Sequence, residues 1–366
     1  MGKTRPAQKK RLTPSKAVRP VRKAEPSALE TMLWLSLQAL AVVVVGFLGV
    51  LAYIYFSPNI GAVSDRDPDL DTFFYSQPDN KQFDESIVTY EKVGLLEVAV
   101  AGPRDGPMLV LLHGFPETAL LAWYPQIAYF AEQGYFVVAP DQRGYNKSEK
   151  PSTVLDYRLD YLADDIVAII DHYERERVIL AGHDWGGAVA WHMATFHEDR
   201  LEKLIIINLP HPAVFTEHLR TFKQLCNSWY IFFFQTPWVP EAKIYKDNFR
   251  WLTGVFSMSP PGTFSRELIL KYHEAWSQPG AVTGMLNWYR AAIRSLIFLP
   301  KPEPKKITVP TLMIWGDQDR ALDAGMAAPS MEWCENGQLV MLPGVSHWVQ
   351  HEAGDRVNTI MHTFIR

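Results

Sequence analysis

The sequence predicts a mostly parallel α/β sheet that carries an inserted helical cap and is preceded by one transmembrane helix. Three observations predict it. Short, wholly apolar runs alternate with amphipathic stretches in two blocks, 84–209 and 307–366. The alternation stops between them, over 210–306, where strand character fades and aromatics and prolines accumulate. Ahead of both, Met32–Phe56 carries no charged residue.

Residues 1–31 read as a basic tail. The first thirty residues hold nine Lys/Arg and two acids, so the rest of the chain carries −11 of the net −4. An acidic body argues against a nucleic-acid partner. At about 1.5 Å per residue, the segment 32–56 can cross an apolar layer about 30 Å thick. Trp34 at one end and Tyr53 and Tyr55 at the other suit the two interfaces. The run is too long for a signal peptide's apolar core, and no small-residue cleavage site follows. A single-pass anchor in membrane lipid is therefore expected. Basic residues before it and Asp65, Asp67, Asp69 and Asp71 after it place the N-terminus in the cytosol by the positive-inside rule. The endoplasmic reticulum is the expected membrane. Asn146-Lys147-Ser148 is a glycosylation sequon that could report this orientation. Residues 57–83, polar and proline-containing, read as a linker. Cys226 and Cys334 are too few for a disulfide scaffold or a cysteine zinc cluster.

Within the body, Ile87–Tyr90 and Leu95–Val100 read as antiparallel strands. Pro107–Leu112, Tyr135–Pro140, Arg177–Ala181, Leu204–Asn208, Thr311–Trp315 and Gln338–Leu342 read as strands, the continuous apolar runs among them buried on both faces. Helices are expected up to about Gln133, over Leu159–Tyr173, after Gly182–Gly187, near Ala321–Cys334 and after Gly354.

Gly182-His183-Asp184-Trp185-Gly186-Gly187 is the most informative stretch. A strand-to-helix turn with small residues two before and two after its centre is a nucleophile elbow. The centre is Asp184 rather than serine, which changes the reaction. A carboxylate is ionised at pH 7 and attacks without a base. It suits displacement at a saturated carbon, and the alkyl ester it forms must then be opened by base-activated water. His347, in Ser346-His347-Trp348 after the last strand, is placed to be that base. Gly316-Asp317-Gln318-Asp319 follows the preceding strand and should supply the orienting carboxylate, Asp319 or alternatively Asp317. The order nucleophile, acid, histidine is that of this kind of sheet. The loop His113-Gly114-Phe115-Pro116 should turn a backbone N–H toward developing charge, with Phe115 and Trp185 as the amide donors. All these residues fall at carboxyl ends of strands, where such sheets bind ligands.

These motifs, His113–Glu117, Gly182–Gly187, Gly316–Asp319 and Ser346–Trp348, resemble those of the epoxide hydrolases of the α/β-hydrolase superfamily, from about Asp84 to Arg366. The resemblance implies an α/β-hydrolase fold and two cap tyrosines that hold and protonate the epoxide oxygen. The matching positions are Tyr230, in Trp229-Tyr230-Ile231, and Tyr289, in Asn287-Trp288-Tyr289-Arg290. His113, Pro116 and Trp288 are expected to frame the substrate with Phe115 and Trp185. The chain departs from many such relatives at Asn146, where they have glycine. The expected activity converts an apolar lipid or xenobiotic epoxide to a vicinal diol, with no cofactor or metal, and no protein partner is indicated. The cap aromatics Trp229, Phe232, Phe233, Phe234 and Trp238 suggest the apolar substrate. Haloalkane dehalogenases share the aspartyl ester, but Phe115 offers no halide donor. Fluoroacetate dehalogenases place arginine where Trp185 stands. The alternatives are a haloalkane-type dehalogenase using the same Asp184 nucleophile, with Trp185 as one halide donor, and a catalytically silent binding protein of the same fold.

Overall fold

A computed structural model describes residues 84–298 and 305–366. The basic tail, the expected anchor at 32–56 and the linker lie outside the described residues. Among the described residues no helix is long and apolar enough to cross a membrane.

Among the described residues eight strands form one sheet: β1 Thr89–Val93, β2 Leu96–Ala101, β3 Met108–Leu112, β4 Phe136–Pro140, β5 Val178–His183, β6 Leu201–Ile207, β7 Thr311–Gly316 and β8 Gly337–Leu342. Their spatial order is β1-β2-β4-β3-β5-β6-β7-β8. The pairs β1–β2 and β2–β4 are antiparallel and all others are parallel.

The continuous apolar runs follow from burial on both faces. Side chains alternate along a strand, and here each alternate set meets its own layer. Val110, Leu112, Leu180, Leu204, Ile206, Met313 and Trp315 pack in one cluster with Ile166, Ile169, Val189 and Met193. Leu109, Leu111, Ile179, Ala181, Ile205, Ile207 and Ile314 pack in the other with Trp123, Ile127, Val357 and Met361. Helices α1 (Ala119–Glu132), α2 (Leu159–His172) and α3 (Trp185–Phe196) are the crossovers between strands. A strand read with no polar face is thus explained by helices above and below it.

Between β6 and β7 the chain leaves the sheet. It forms α4 Pro212–His218, α5 Phe222–Asn227, α6 Trp229–Phe233, α7 Val239–Lys246, α8 Arg250–Gly254, α9 Arg266–Trp276 and α10 Ala281–Phe298. This block sits over the loops at the carboxyl ends of the strands. The Trp276 indole donates to Pro116 O at 2.6 Å and the Trp288 indole to Arg143 O at 2.8 Å. Gly284 of α10 lies so close to Gly144 that a Cβ on it would meet Gly144 O at 2.5 Å. The chain closes with α11 Ala327–Met331, α12 Val349–Glu352 and α13 Gly354–Ile365.

Two expectations change. The helix expected over Ala321–Cys334 is confined to a 3₁₀ turn, Ala324–Met326, followed by α11. The amides of Ala321 and Leu322 are taken by the Asp319 carboxylate at 2.8 and 2.9 Å, which holds the segment in a turn. The sequon at Asn146 is built into the structure rather than offered to solvent. Its Nδ2 donates to the buried Asp141 carboxylate at 2.7 Å, and Ser148 is buried. Asn146 has φ +40°, in the left-handed region that favours glycine.

The elbow depends on close backbone approach. A Cβ on Gly186 would meet Leu112 O at 2.1 Å, and one on Gly182 would meet Gly186 O at 2.3 Å. Because these obstacles are backbone, Gly186→Ala is expected to cost about 3 kcal/mol, read as a lower urea midpoint at unchanged slope.

Candidate active site

Asp184 stands between β5 and α3 with φ +49° and ψ −122°, a backbone conformation L-residues rarely adopt. It persists because the surroundings over-determine it. Its N–H donates to Ile207 O at 3.3 Å and its carbonyl accepts from Ala188 N at 3.1 Å. Gly114 lies against it, so that a Cβ there would meet Asp184 Cβ at 2.5 Å. The Phe115 amide donates to Asp184 Oδ1 at 2.9 Å. The Phe115–Pro116 bond is cis.

His347, 3 % exposed, follows β8. Its Nδ1 bonds Asp319 Oδ2 at 2.7 Å, and its Nε2 lies 3.8 Å from Asp184 Oδ2. The structure therefore puts Asp319 on the imidazole. Asp317 instead accepts from Gly344 N at 2.8 Å in the turn after β8. Burial opposes a charge on His347, but the charge and hydrogen bond of Asp319, with Asp184 and Glu117 nearby, outweigh it and push the imidazole up to about 9. Burial likewise opposes the Asp319 carboxylate, yet His347 and hydrogen bonds from Asn208 and Leu322 hold it below the usual carboxylate range.

Tyr289 is buried, with its ring edge-on to Phe115 at 5.2 Å and Trp185 at 5.0 Å. Tyr230, partly buried, lies 5.8 Å from Tyr289 between ring centroids. Burial pushes both phenols well up, and the Asp184 charge adds to it. Both phenols thus keep their protons across the working range. Phe234 completes this wall, 4.9 Å from Tyr289.

Other expected residues frame the site instead of facing its centre. Both ring nitrogens of His113 are engaged with backbone: Nδ1 with Gly114 O and Nε2 as acceptor from Gln142 N, each at 3.0 Å. Burial drives its imidazole down to about 4, so it is neutral. Pro116 contributes its carbonyl to Trp276, and Trp288 its indole to Arg143. Trp238 does not belong to the pocket wall: it is 81 % exposed. His273, outside this site, is partly buried and pairs with Thr253 at 2.7 Å.

Two sets of residues escaped sequence reasoning. Asn208, with φ +43°, donates Nδ2 to Asp319 Oδ2 at 2.8 Å and accepts from Gly316 N at 3.0 Å. An asparagine directly after a buried strand was the available signal. Beneath the site lies Glu117, wholly buried. It meets His351 at 2.7 Å, Gln350 at 3.1 Å, and His183 and Tyr272 at 3.2 Å. His183 also reaches His347 O at 3.0 Å. The spacing of His347 and His351 is one that metal ligands use, but the two turn to different carboxylates. Burial alone would raise Glu117, yet these hydrogen bonds hold it far below the usual range.

A model of the alpha/beta hydrolase fold matches residues 107–354. The chain is similar to an AB hydrolase superfamily protein, YfhM, of Bacillus subtilis, 44% identical over 74% of this chain and 94% of that one. It is 38% identical to Epoxide hydrolase 4 of Homo sapiens over 73% of this chain and 74% of that protein. A mutant epoxide hydrolase from Bacillus megaterium superposes with TM-score 0.68 at 30% identity, covering 76% of this chain and 99% of the other.

Two measurements follow. A depressed carboxyl stabilises above its unfolded pKa of about 4.3 and loses that contribution as pH falls. The urea midpoint should therefore drop on acidification below about pH 4, and Glu117→Gln should flatten that drop while costing about 1–3 kcal/mol at neutral pH. A raised imidazole has the opposite sign: its contribution is complete below about 6.5 and vanishes through about 9. NMR titration should place His347 near 9 in the parent, and lower in Asp319→Asn.

Proposed function

The chain belongs to the epoxide hydrolase family of α/β-hydrolase enzymes, and from that premise we propose that it adds water to an apolar epoxide to give a vicinal diol through an ester on Asp184. The observation that carries the mechanism is the line Asp319–His347–Asp184, with one imidazole nitrogen bound to the first carboxylate and the other 3.8 Å from the second.

Asp184 attacks a ring carbon as its carboxylate. The C–O bond breaks, and the oxygen is held and protonated by Tyr230 and Tyr289, whose raised phenols suit an alkoxide partner. Esterification removes the Asp184 charge. That takes away one of the influences keeping the proton on His347, so its proton affinity falls when a base is needed. His347 first sheds its resting proton, which makes up through solvent the one the tyrosines gave, and then takes a proton from water as that water attacks the ester carbonyl. The amides of Phe115 and Trp185 hold the resulting oxyanion. Its collapse breaks the ester C–O bond, and the imidazolium proton passes to the departing oxygen, releasing the diol and the Asp184 carboxylate. Asp319 fixes the imidazole tautomer, and Asn208 holds Asp319. The aromatic lining, Phe115, Trp185 and Phe234 beside Tyr289, supports an apolar substrate.

We place this body at a membrane, tethered by Met32–Phe56 with the N-terminus cytosolic and the endoplasmic reticulum as the expected location. The uncharged span and the basic tail support this. Protease protection of an N-terminal tag in sealed microsomes tests it: a tag accessible from the luminal side, or a chain extracted by carbonate, overturns the reading.

Single turnover in heavy-oxygen water should label the Asp184 side chain, and Asp184→Ala should abolish diol formation. Tyr230→Phe/Tyr289→Phe should lower turnover by at least about a hundredfold. Halide release from haloalkanes without diol formation from epoxides would refute the assignment.

A further inference from the structure

Charge and exposed apolar area coincide on the helical block. Residues 210–306 carry twelve Lys/Arg and six Asp/Glu, a net +6. Residues 31–209 and 307–366 carry fifteen and thirty-two, a net −17. The same block exposes large apolar side chains: Phe222 is 83 % exposed, Trp238 81 %, Phe298 76 %, Ile297 63 % and Val239 54 %.

Such exposure is costly on a surface that meets only water. Trp238 is held outward by its own backbone, with φ +62° at the head of α7. The turn that carries it is fastened to α10. The Arg290 guanidinium donates to Phe234 O at 2.9 Å and to Thr236 O at 3.2 Å, and makes a paired contact with Glu241 at 2.7 and 3.0 Å. Leu296, Ile297 and Phe298 are three successive exposed apolar residues on the last turn of α10. Exposed Lys246 on α7 and Arg294 on α10 bring positive charge to the same two elements. Tryptophan and phenylalanine flanked by lysine and arginine is the composition of a face seated at a lipid interface.

We propose that the helical block docks on an anionic bilayer surface, with the Trp238–Val239 turn and the Leu296–Phe298 end of α10 entering the headgroup boundary. The occupant is chosen by charge. A net +6 block on a net −17 body turns this end of the molecule to anionic lipid and the rest away from it. Residues 57–83 could extend on the order of 80 Å, so a tether at 32–56 does not restrain such an orientation. Docking would bring the aromatic wall around Tyr230 and Tyr289 close to the acyl phase, where an apolar epoxide accumulates. Only that last consequence rests on the proposed activity.

The test compares the full chain in nanodiscs of phosphatidylcholine alone and of phosphatidylcholine with phosphatidylserine. The tether enters both, so the difference reports docking. Hydrogen–deuterium exchange should slow several-fold at 237–246 and 292–298 in the serine-containing discs. The protection should vanish in 0.5 M salt and in Trp238→Ser/Phe298→Ser. Lys246→Glu/Arg294→Glu should remove it with the apolar residues intact. Exchange at α2, which the variants do not touch, serves as the folding control. Equal exchange in both discs overturns the proposal. Protection that follows protein concentration instead of lipid charge assigns the face to a second copy and also overturns it. Diol assays run in parallel separate the two readings: docking without turnover rejects the activity alone.

Discussion

The site depends on backbone approaching backbone with nothing in between. Asp184 can take its positive φ only because Gly114, Gly182 and Gly186 let β3, β5 and α3 close to distances that a methyl group would forbid. That closeness has a chemical result. It brings the Phe115 amide onto one oxygen of the Asp184 carboxylate while the other faces His347. A side chain at the same place on a relaxed turn would have neither neighbour. The conformational cost is met by the double-sided core, whose two clusters fix β3 and β5 from above and below.

Electrostatics at the site are arranged in two tiers. The upper tier, Asp319–His347–Asp184, holds a proton on the imidazole in the resting state through two carboxylates. The lower tier, Glu117 with His183, His351 and Gln350, binds the elbow to the loop and helix that follow β8. Glu117 is charged and wholly enclosed, which is tolerable only with each oxygen hydrogen-bonded. Through His183 this lower tier also touches the backbone of His347. The two tiers are therefore directly linked, and Tyr272 ties the helical block to them.

Much of this was legible in the sequence, and the reasons are physical. The strands announced themselves because parallel strands covered on both sides lack a polar face. The elbow announced itself because only small residues fit at positions 182, 186 and 187. Asp184, His347 and Asp319 followed from their places after strands. Contacts made by residues distant in the chain were not legible. The place of Asn208 after a strand marked it as worth a look, but not that it would support Asp319, and nothing local in Glu117 says that it will gather four partners. Trp238 was misjudged for a similar reason. An aromatic residue inside an aromatic-rich stretch reads as lining, and only the left-handed backbone at that residue turns it outward. The shortened helix after β7 was hidden because a carboxylate takes the amides that would have begun it.

The placement of the helical block between adjacent strands has a kinetic meaning. Leu204 of β6 pairs with Thr311 of β7, and everything from α4 to α10 lies in the loop that this pairing closes. On a growing chain β1 to β6 can assemble early, since their partners are already synthesised, but β7 and β8 must wait. Until they arrive, β6 is an unfinished edge whose apolar residues have no neighbour on one side. Such non-local closure is entropically slow. A chain synthesised only as far as α10 would thus carry the nucleophile without its histidine, with β6 an edge open to mispairing.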